Sequence, residues 1–179
     1  NRVTTDEGPR PDTDVETLGE LPPSFREAGT ITAGNASDLS DGAGCVLLGG
    51  EVPDGREPLA RLVDYAVAYR DPRWFGRSVA DAVEGVLDRH GLSVADVDRF
   101  ELNEAFAAQM VYVRDHLDIP AERLNPDGGA IALGHPIGAS GGILTTTLAH
   151  GMAREDLDRG VVGMSIGGGG GIAALLERP

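Results

Sequence analysis

The residues from Asn125 to Gly142, NPDGGAIALGHPIGASGG, constrain this chain more than any others. Glycine at such density costs chain entropy, and a folded protein keeps it where backbone must turn sharply or approach something closely. The stretch holds one histidine, His135, fixed between Gly134 and Pro136. Its ordinary pKa of ~6.5 lets it exchange a proton near neutrality, which makes it the first catalytic candidate. A histidine in such a turn can equally be a packed loop residue. The apolar helical pattern directly behind it, Ile143, Leu144, Leu148 and Met152, moves the reading towards function.

Around that stretch, strand and helix patterns alternate. Residues 1 to 34 are rich in Pro, Thr, Asp and Glu, with Leu18, Leu21 and Phe25 as scattered apolar anchors, and read as an extended arm. The small-residue loop Thr32 to Gly44 leads to Cys45–Leu48, an apolar run short enough for a buried strand, with Cys45 as a small core thiol. A turn at 53 to 58 precedes a second strand, where Val63, Tyr65, Val67 and Tyr69 alternate with Asp64, Ala66 and Ala68. Ser78 and Asp81 have the spacing of a capping box, and Val79, Val83, Val86 and Leu87 recur at helical spacing until Gly91. A third strand spans Val97 to Leu102, with Phe100 and Leu102 on one face. It runs into a helix striped by Phe106, Met110, Val113 and Leu117, with Asn103 at the junction. A further helix is expected from about Ala139 to Arg154. The final runs GVVGMSI and IAALLER, joined through the five glycines Gly167 to Gly171, predict an antiparallel hairpin. The pattern is that of an α/β layered fold with a mixed sheet, without internal repeats.

At 179 residues the chain has the length of about one domain. Its formal charge is -14, from 29 acidic against 15 basic residues, and every basic residue is arginine. Nucleic acid is therefore excluded as a natural partner, because phosphate binding needs a basic face. A genome rich in G and C explains the missing lysine, but not acids outnumbering bases almost twofold. Adaptation to high salt explains both the charge and its solubility, and it predicts a higher melting temperature in molar KCl than in dilute buffer; equal values in a thermal melt would refute it. The single cysteine excludes an internal disulfide and fits a reducing, cytoplasmic setting. No window approaches the ~20 apolar residues of a membrane span, so no membrane partner is expected. A first residue of Asn1 in place of Met fits a piece of a longer polypeptide.

Asn103, His135 and Ser165 all fall near predicted strand ends or the loops that follow them, where sites are commonly built in such folds. Asn103 can alternatively be a helix N-cap, and Ser165 an ordinary strand residue. The glycine run after Ser165 is no P-loop, since it lacks lysine and leads into a strand. It serves either as a tight turn or as a source of backbone N–H groups for an oxyanion.

Three motifs together, NEAFAAQ at 103 to 109, GGAIALGHPIGASG at 128 to 141 and SIGGGGG at 165 to 171, resemble the C-terminal half of thiolases, enzymes that make or cleave 3-ketoacyl-CoA. The earlier segments RPDTDVETLGELPPSF and GTITAGNASDLSDGAG resemble the end of the thiolase loop domain and its return to the core. The resemblance implies a layered fold, with a mixed sheet of the five-stranded type flanked by helices, and a division into a loop-domain end at 1–34 and a C-terminal domain at 35–179. It implies that His135 activates a nucleophilic cysteine and helps hold the thioester oxygen, and that Asn103 positions a water at the same oxygen. Ser165 falls where the family has a second, acid/base cysteine. Gly167 offers a backbone N–H to a second oxyanion hole. Ala33 and Ser37 line the pantetheine channel, and Ala105 and Phe106 contact substrate. Coenzyme A thioesters are then the substrates, with no cofactor or metal, and an oligomer is expected. The nucleophilic cysteine belongs to the N-terminal half, and Cys45 does not replace it. The resemblance therefore implies an acyltransferase chain that needs a thiolase N-terminal half as partner; the alternative is a non-catalytic thiolase-derived subunit that binds acyl-CoA or scaffolds a partner. Asp38, where a small residue is common, stands near the CoA path.

Overall fold

The computed structural model describes residues 2, 4, 5, 8 and 10–179. Positions 1, 3, 6, 7 and 9 of the expected arm lie outside the described residues. The rest of the arm is mostly exposed and contains one short helix, α1 (Val15–Gly19), which the sequence reading did not anticipate. Asp14 starts it by accepting a hydrogen bond from the Thr17 N–H at 2.7 Å. The three anchors do hold the arm down: Leu18 and Leu21 pack over Gly34, and the Phe25 ring meets Phe106 edge-on at 6.0 Å.

The centre is a four-stranded mixed sheet in the order β1-β4-β3-β2, with β1 (Arg61–Tyr69), β2 (Arg99–Leu102), β3 (Arg159–Ile166) and β4 (Gly170–Glu177). β2 runs parallel to β3; the β1–β4 and β3–β4 pairs are antiparallel. The expected hairpin of the last two runs is thus present, turning through Gly167–Gly169, of which Gly168 and Gly169 have positive φ.

A fifth strand at Cys45–Leu48 does not form. This stretch is extended, unpaired and in water: Leu47 is 95% exposed and Leu48 69%, and Cys45 is an exposed thiol instead of a core residue. The apolar composition is that of a strand, but only its leading edge is anchored, where the Gly44 backbone lies directly on Gly142 and Ile143. A strand forms only beside a partner strand, and none lies there among the described residues.

One sheet face is covered by α2 (Ser78–Arg89) and α3 (Ala107–Leu117). Val79, Val83, Val86, Phe100, Leu102, Val113, Val161 and Leu175 meet there in the main core, all fully buried. Each such side chain contributes roughly 1.5–3 kcal/mol by leaving water. The opposite face carries α5 (Ser140–Glu155), whose Leu144, Leu148 and Met152 pack on Val162 and Leu176. In place of one core there are two, one on each side of the sheet.

One local expectation is corrected, and one strand face is settled by its neighbour. Ser78 and Asp81 do not form a capping box: the Ser78 hydroxyl donates instead to Gly169 O at 2.6 Å, and Asp81 pairs with Arg70. The capping box in this region lies later, at Ser93 and Asp96. In β1 the small face, Ala66 and Ala68, turns inward, leaving Tyr65 at 58%, Val67 at 43% and Tyr69 at 68% exposure. The reason is the close approach of α2, whose Gly85 lies over Ala66; large side chains on that side would hold the helix off. α5 does not reach across to the open side of β1.

Candidate functional site

Along β2 the residues alternate, and Arg99, Glu101 and Asn103 project to the α5 side. Asn103 is 2% exposed, and its backbone N–H extends the pairing of β2 by donating to Gly163 O at 2.9 Å. It is not an N-cap, because α3 begins only at Ala107 after Phe106. Its side chain is therefore free for other partners.

The glycine-rich stretch is brought to this strand end by Asn125 and Glu104. Asn125 takes a left-handed backbone with φ of 45°, which asparagine tolerates. Its side-chain oxygen accepts from Leu102 N and its amide donates to Leu102 O, each at 2.8 Å, and the amide also donates to Glu104 Oε1 at 2.9 Å. The other Glu104 oxygen accepts from Ile131 N at 3.1 Å, in the first turn of α4 (Ala130–Leu133). That carboxyl occupies the space over Gly129 that a Cβ would fill. After α4, Gly134 has φ of 94° with Ser40 pressed against it, a position closed to other residues. The next residue is His135.

His135 is thereby fixed on three sides. Its backbone N–H donates to Asp38 O at 3.0 Å. Its Nε2 lies 3.4 Å from Asn103 Nδ2, and its Nδ1 lies 2.6 Å from Ser140 Oγ. Burial holds its pKa below the ordinary histidine value, so the ring is neutral and able to accept a proton at neutral pH.

Beside this pair, the returning loop lies along the segment after Asn103. Ser37 N donates to Ala105 O at 3.2 Å and Ser37 Oγ reaches the same oxygen at 3.4 Å. Ala36 bridges Phe106, and Ala107 N donates to Asn35 O at 2.9 Å. Phe106 stands between Phe25 and Phe75, its ring 6.3 Å from the latter. Ser37, Ala105 and Phe106 thus form one wall next to Asn103 and His135. Ala33 lies exposed at the outer end of that loop, and Asp38 is also exposed.

Ser165 and Gly167 come from the neighbouring strand. Ser165 lies two residues beyond Gly163, the partner of Asn103, so both stand at the same end of the sheet. It is partly exposed, and among the described residues it makes no hydrogen bond to Asn103 or His135. Gly167 is exposed at the start of the turn. No cluster of three or more His, Cys, Asp or Glu suited to a metal occurs among the described residues, and no helix is long and apolar enough to cross a membrane.

Three residues that help build the site escaped the sequence reading: Asn125, Glu104 and Ser140. Two of them had a visible signal, since Asn125 and Ser140 lie within the glycine-rich stretch, but their partners are set by the fold.

Residues 56–178 match the family model of the thiolase C-terminal domain and residues 1–51 that of the thiolase N-terminal domain. The acetyl-CoA acetyltransferase of Pseudomonas aeruginosa is 48% identical over 177 residues, covering 97% of this chain and 45% of that protein. The mitochondrial 3-ketoacyl-CoA thiolase of Bos taurus is 45% identical over 178 residues, covering 98% and 45%. The crystal structure of human mitochondrial 3-ketoacyl-CoA thiolase in complex with CoA superposes with a TM-score of 0.84 at 36% identity, over 99% of this chain and 46% of that one. The chain thus spans about half the length of the relatives it matches. With both family models accounting for nearly all its residues and the three motifs folded to one end of the sheet, this chain belongs to the thiolase family.

Proposed function

We propose that this chain furnishes the histidine and acid/base side of a β-ketothiolase-type acyltransferase site, and that a thiolase N-terminal half, on the same or another polypeptide, brings the nucleophilic cysteine. The observation carrying this reading is the pairing of Asn103 with His135 Nε2 at 3.4 Å, beside the wall of Ser37, Ala105 and Phe106.

In thiolysis the incoming cysteine thiolate attacks the 3-keto carbon of a 3-ketoacyl-CoA. The bond between C2 and C3 breaks, leaving acyl-enzyme and the enolate of acetyl-CoA, which takes a proton at C2. CoA then gives its thiol proton to a base as its sulfur attacks the acyl-enzyme, releasing acyl-CoA and the cysteine. Two oxyanions and the proton transfers need support. His135 Nε2 takes the cysteine thiol proton in the first attack and returns it when the cysteine leaves, and Asn103 and His135 face the thioester oxygen. The Gly167 N–H serves the second oxyanion, and Ser165 stands where a proton is given to C2 and the CoA thiol proton is then taken back. A serine hydroxyl is far less acidic than a thiol of pKa ~8.5, so this last step is the weak one. Ser165→Cys is expected to raise the rate of thiolysis by about tenfold or more, read as kcat with acetoacetyl-CoA; no gain would mean that another group handles the C2 proton.

Two uncovered apolar surfaces support the need for a partner: the extended run Val46–Leu48 and the β1 face of Tyr65, Val67 and Tyr69 beside α5. Together they exceed what scattered surface residues explain. Acetoacetyl-CoA thiolysis is expected from the chain combined with a thiolase N-terminal half and not from the chain alone. Turnover by the isolated chain, or none from the combination, would overturn the reading.

Ser165 favours one other reading, a non-catalytic subunit that binds acyl-CoA or scaffolds a partner. It predicts that His135→Ala leaves the turnover of an active complex unchanged.

A further inference from the structure

Ser140 lies five residues beyond His135, is buried, and has no part in the steps above. Its hydroxyl is 2.6 Å from His135 Nδ1 and donates to Pro136 O at 3.1 Å. Its backbone N–H reaches the same carbonyl at 2.9 Å as α5 begins, so the serine is seated against the preceding turn. Across the ring, Nε2 is 3.4 Å from Asn103 Nδ2. A neutral imidazole has one N–H and one lone pair, and the partner at each nitrogen decides which is which. The Asn103 amide nitrogen only donates, so Nε2 accepts. The Pro136 carbonyl only accepts, so it takes the single hydroxyl proton of Ser140. That hydroxyl is left to accept from Nδ1. All three bonds then run in one direction, and no hydrogen is shared between two of them.

We propose that Ser140 is a positioning residue that holds His135 in the Nδ1–H tautomer, through the chain Nδ1–H to Ser140 Oγ–H to Pro136 O, and so keeps the Nε2 lone pair turned towards Asn103. Among the described residues no carboxylate hydrogen-bonds His135; the orienting partner is a neutral hydroxyl tied to backbone. Bonds in such a chain polarise one another, so the hydroxyl also stabilises the ring as it takes up a proton at Nε2. The geometry stands on its own distances, while the consequence for turnover rests on the acyl-transfer reading above.

The test is ¹⁵N NMR of the imidazole nitrogens in the wild-type chain above the titration of the ring, with His135 assigned by its loss in His135→Gln. The expected spectrum has a protonated, pyrrole-type Nδ1 and an unprotonated, pyridine-type Nε2. Ser140→Ala should shift the ring towards the Nε2–H form that free imidazole side chains prefer, and Ser140→Thr, which keeps the hydroxyl, should restore the wild-type pattern. In the combination with the N-terminal half, Ser140→Ala should lower kcat at least about tenfold with little change in KM. A wild-type proton on Nε2, or a Ser140→Ala ring that still carries its proton on Nδ1, would overturn the proposal. The expected wild-type spectrum without turnover from the combination would support the tautomer assignment and count against the acyl-transfer reading alone.

Discussion

Replacing His135 by alanine in the combined enzyme is expected to lower kcat/KM for acetoacetyl-CoA thiolysis by about 10²–10⁴-fold, the usual weight of a positioned general base. The ring is held by Asn103 and Ser140 and its backbone by Asp38 O, and no second imidazole is hydrogen-bonded near it among the described residues. The loss should therefore fall on kcat more than on KM. Burial lowers the His135 pKa, so the base form persists on acidification and the acid limb of the wild-type pH profile should lie below ~6.5. The same shift has a stability sign. Between the lowered folded value and the ordinary unfolded one, the unfolded chain binds more protons, so stability falls as pH drops through that window and is flat beneath it. A rate within threefold of wild type for His135→Ala, measured at saturating and limiting substrate, would remove the histidine from the chemistry.

Replacing Arg99 by methionine is expected to destabilise the fold by about 3–5 kcal/mol. Arg99 and Glu101 are each 1% exposed, joined at 2.7 and 2.9 Å beneath α5. Arg99 also donates to Asp127 at 2.7 Å and to Glu155 at 3.0 Å, both of which Arg154 reaches from the surface. Burial pushes the Glu101 carboxyl above its ordinary value even with Arg99 beside it. Removing the guanidinium leaves that carboxyl without its cation in a closed space, and it will take up a proton or open the helix interface. Removing both charges, Arg99→Met with Glu101→Leu, should recover most of the loss, because the desolvation cost disappears with them. At about 2–4 °C per kcal/mol for a chain of this size, the single variant should melt roughly 10 °C lower in calorimetry and the double variant close to wild type. A single variant melting with wild type would mean that the surface carboxylates and Arg154 carry the network.

The strands that pair inside this chain were legible because each supplies one face of a core: Phe100 and Leu102 against α3, and the two terminal runs against each other. The helices at Ser78–Arg89 and Ser140–Glu155 were legible for the same reason. Cys45–Leu48 was misread because the pattern of a buried strand says that something must cover it, without saying that the cover lies in the same stretch of sequence. The inward face of β1 was not legible in the alternation, because its width is set by Gly85 on a helix about twenty residues away. At the site, His135 and Asn103 stood out through residue type and motif. Glu104, Asn125 and Ser140 lie within the motifs and the glycine-rich stretch but did not stand out, because their partners, the backbone of Leu102, Ile131 and Pro136 and the His135 ring, are brought to them only by the fold.

The unpaired extended run with its solvent-facing thiol has a consequence during biosynthesis. Apolar chain with free N–H and C=O groups is a template for another molecule's strand, and such exposure is what holding chaperones bind and what drives clumping at high concentration. Soluble yield in a host cell is thus tied to how promptly this run is covered.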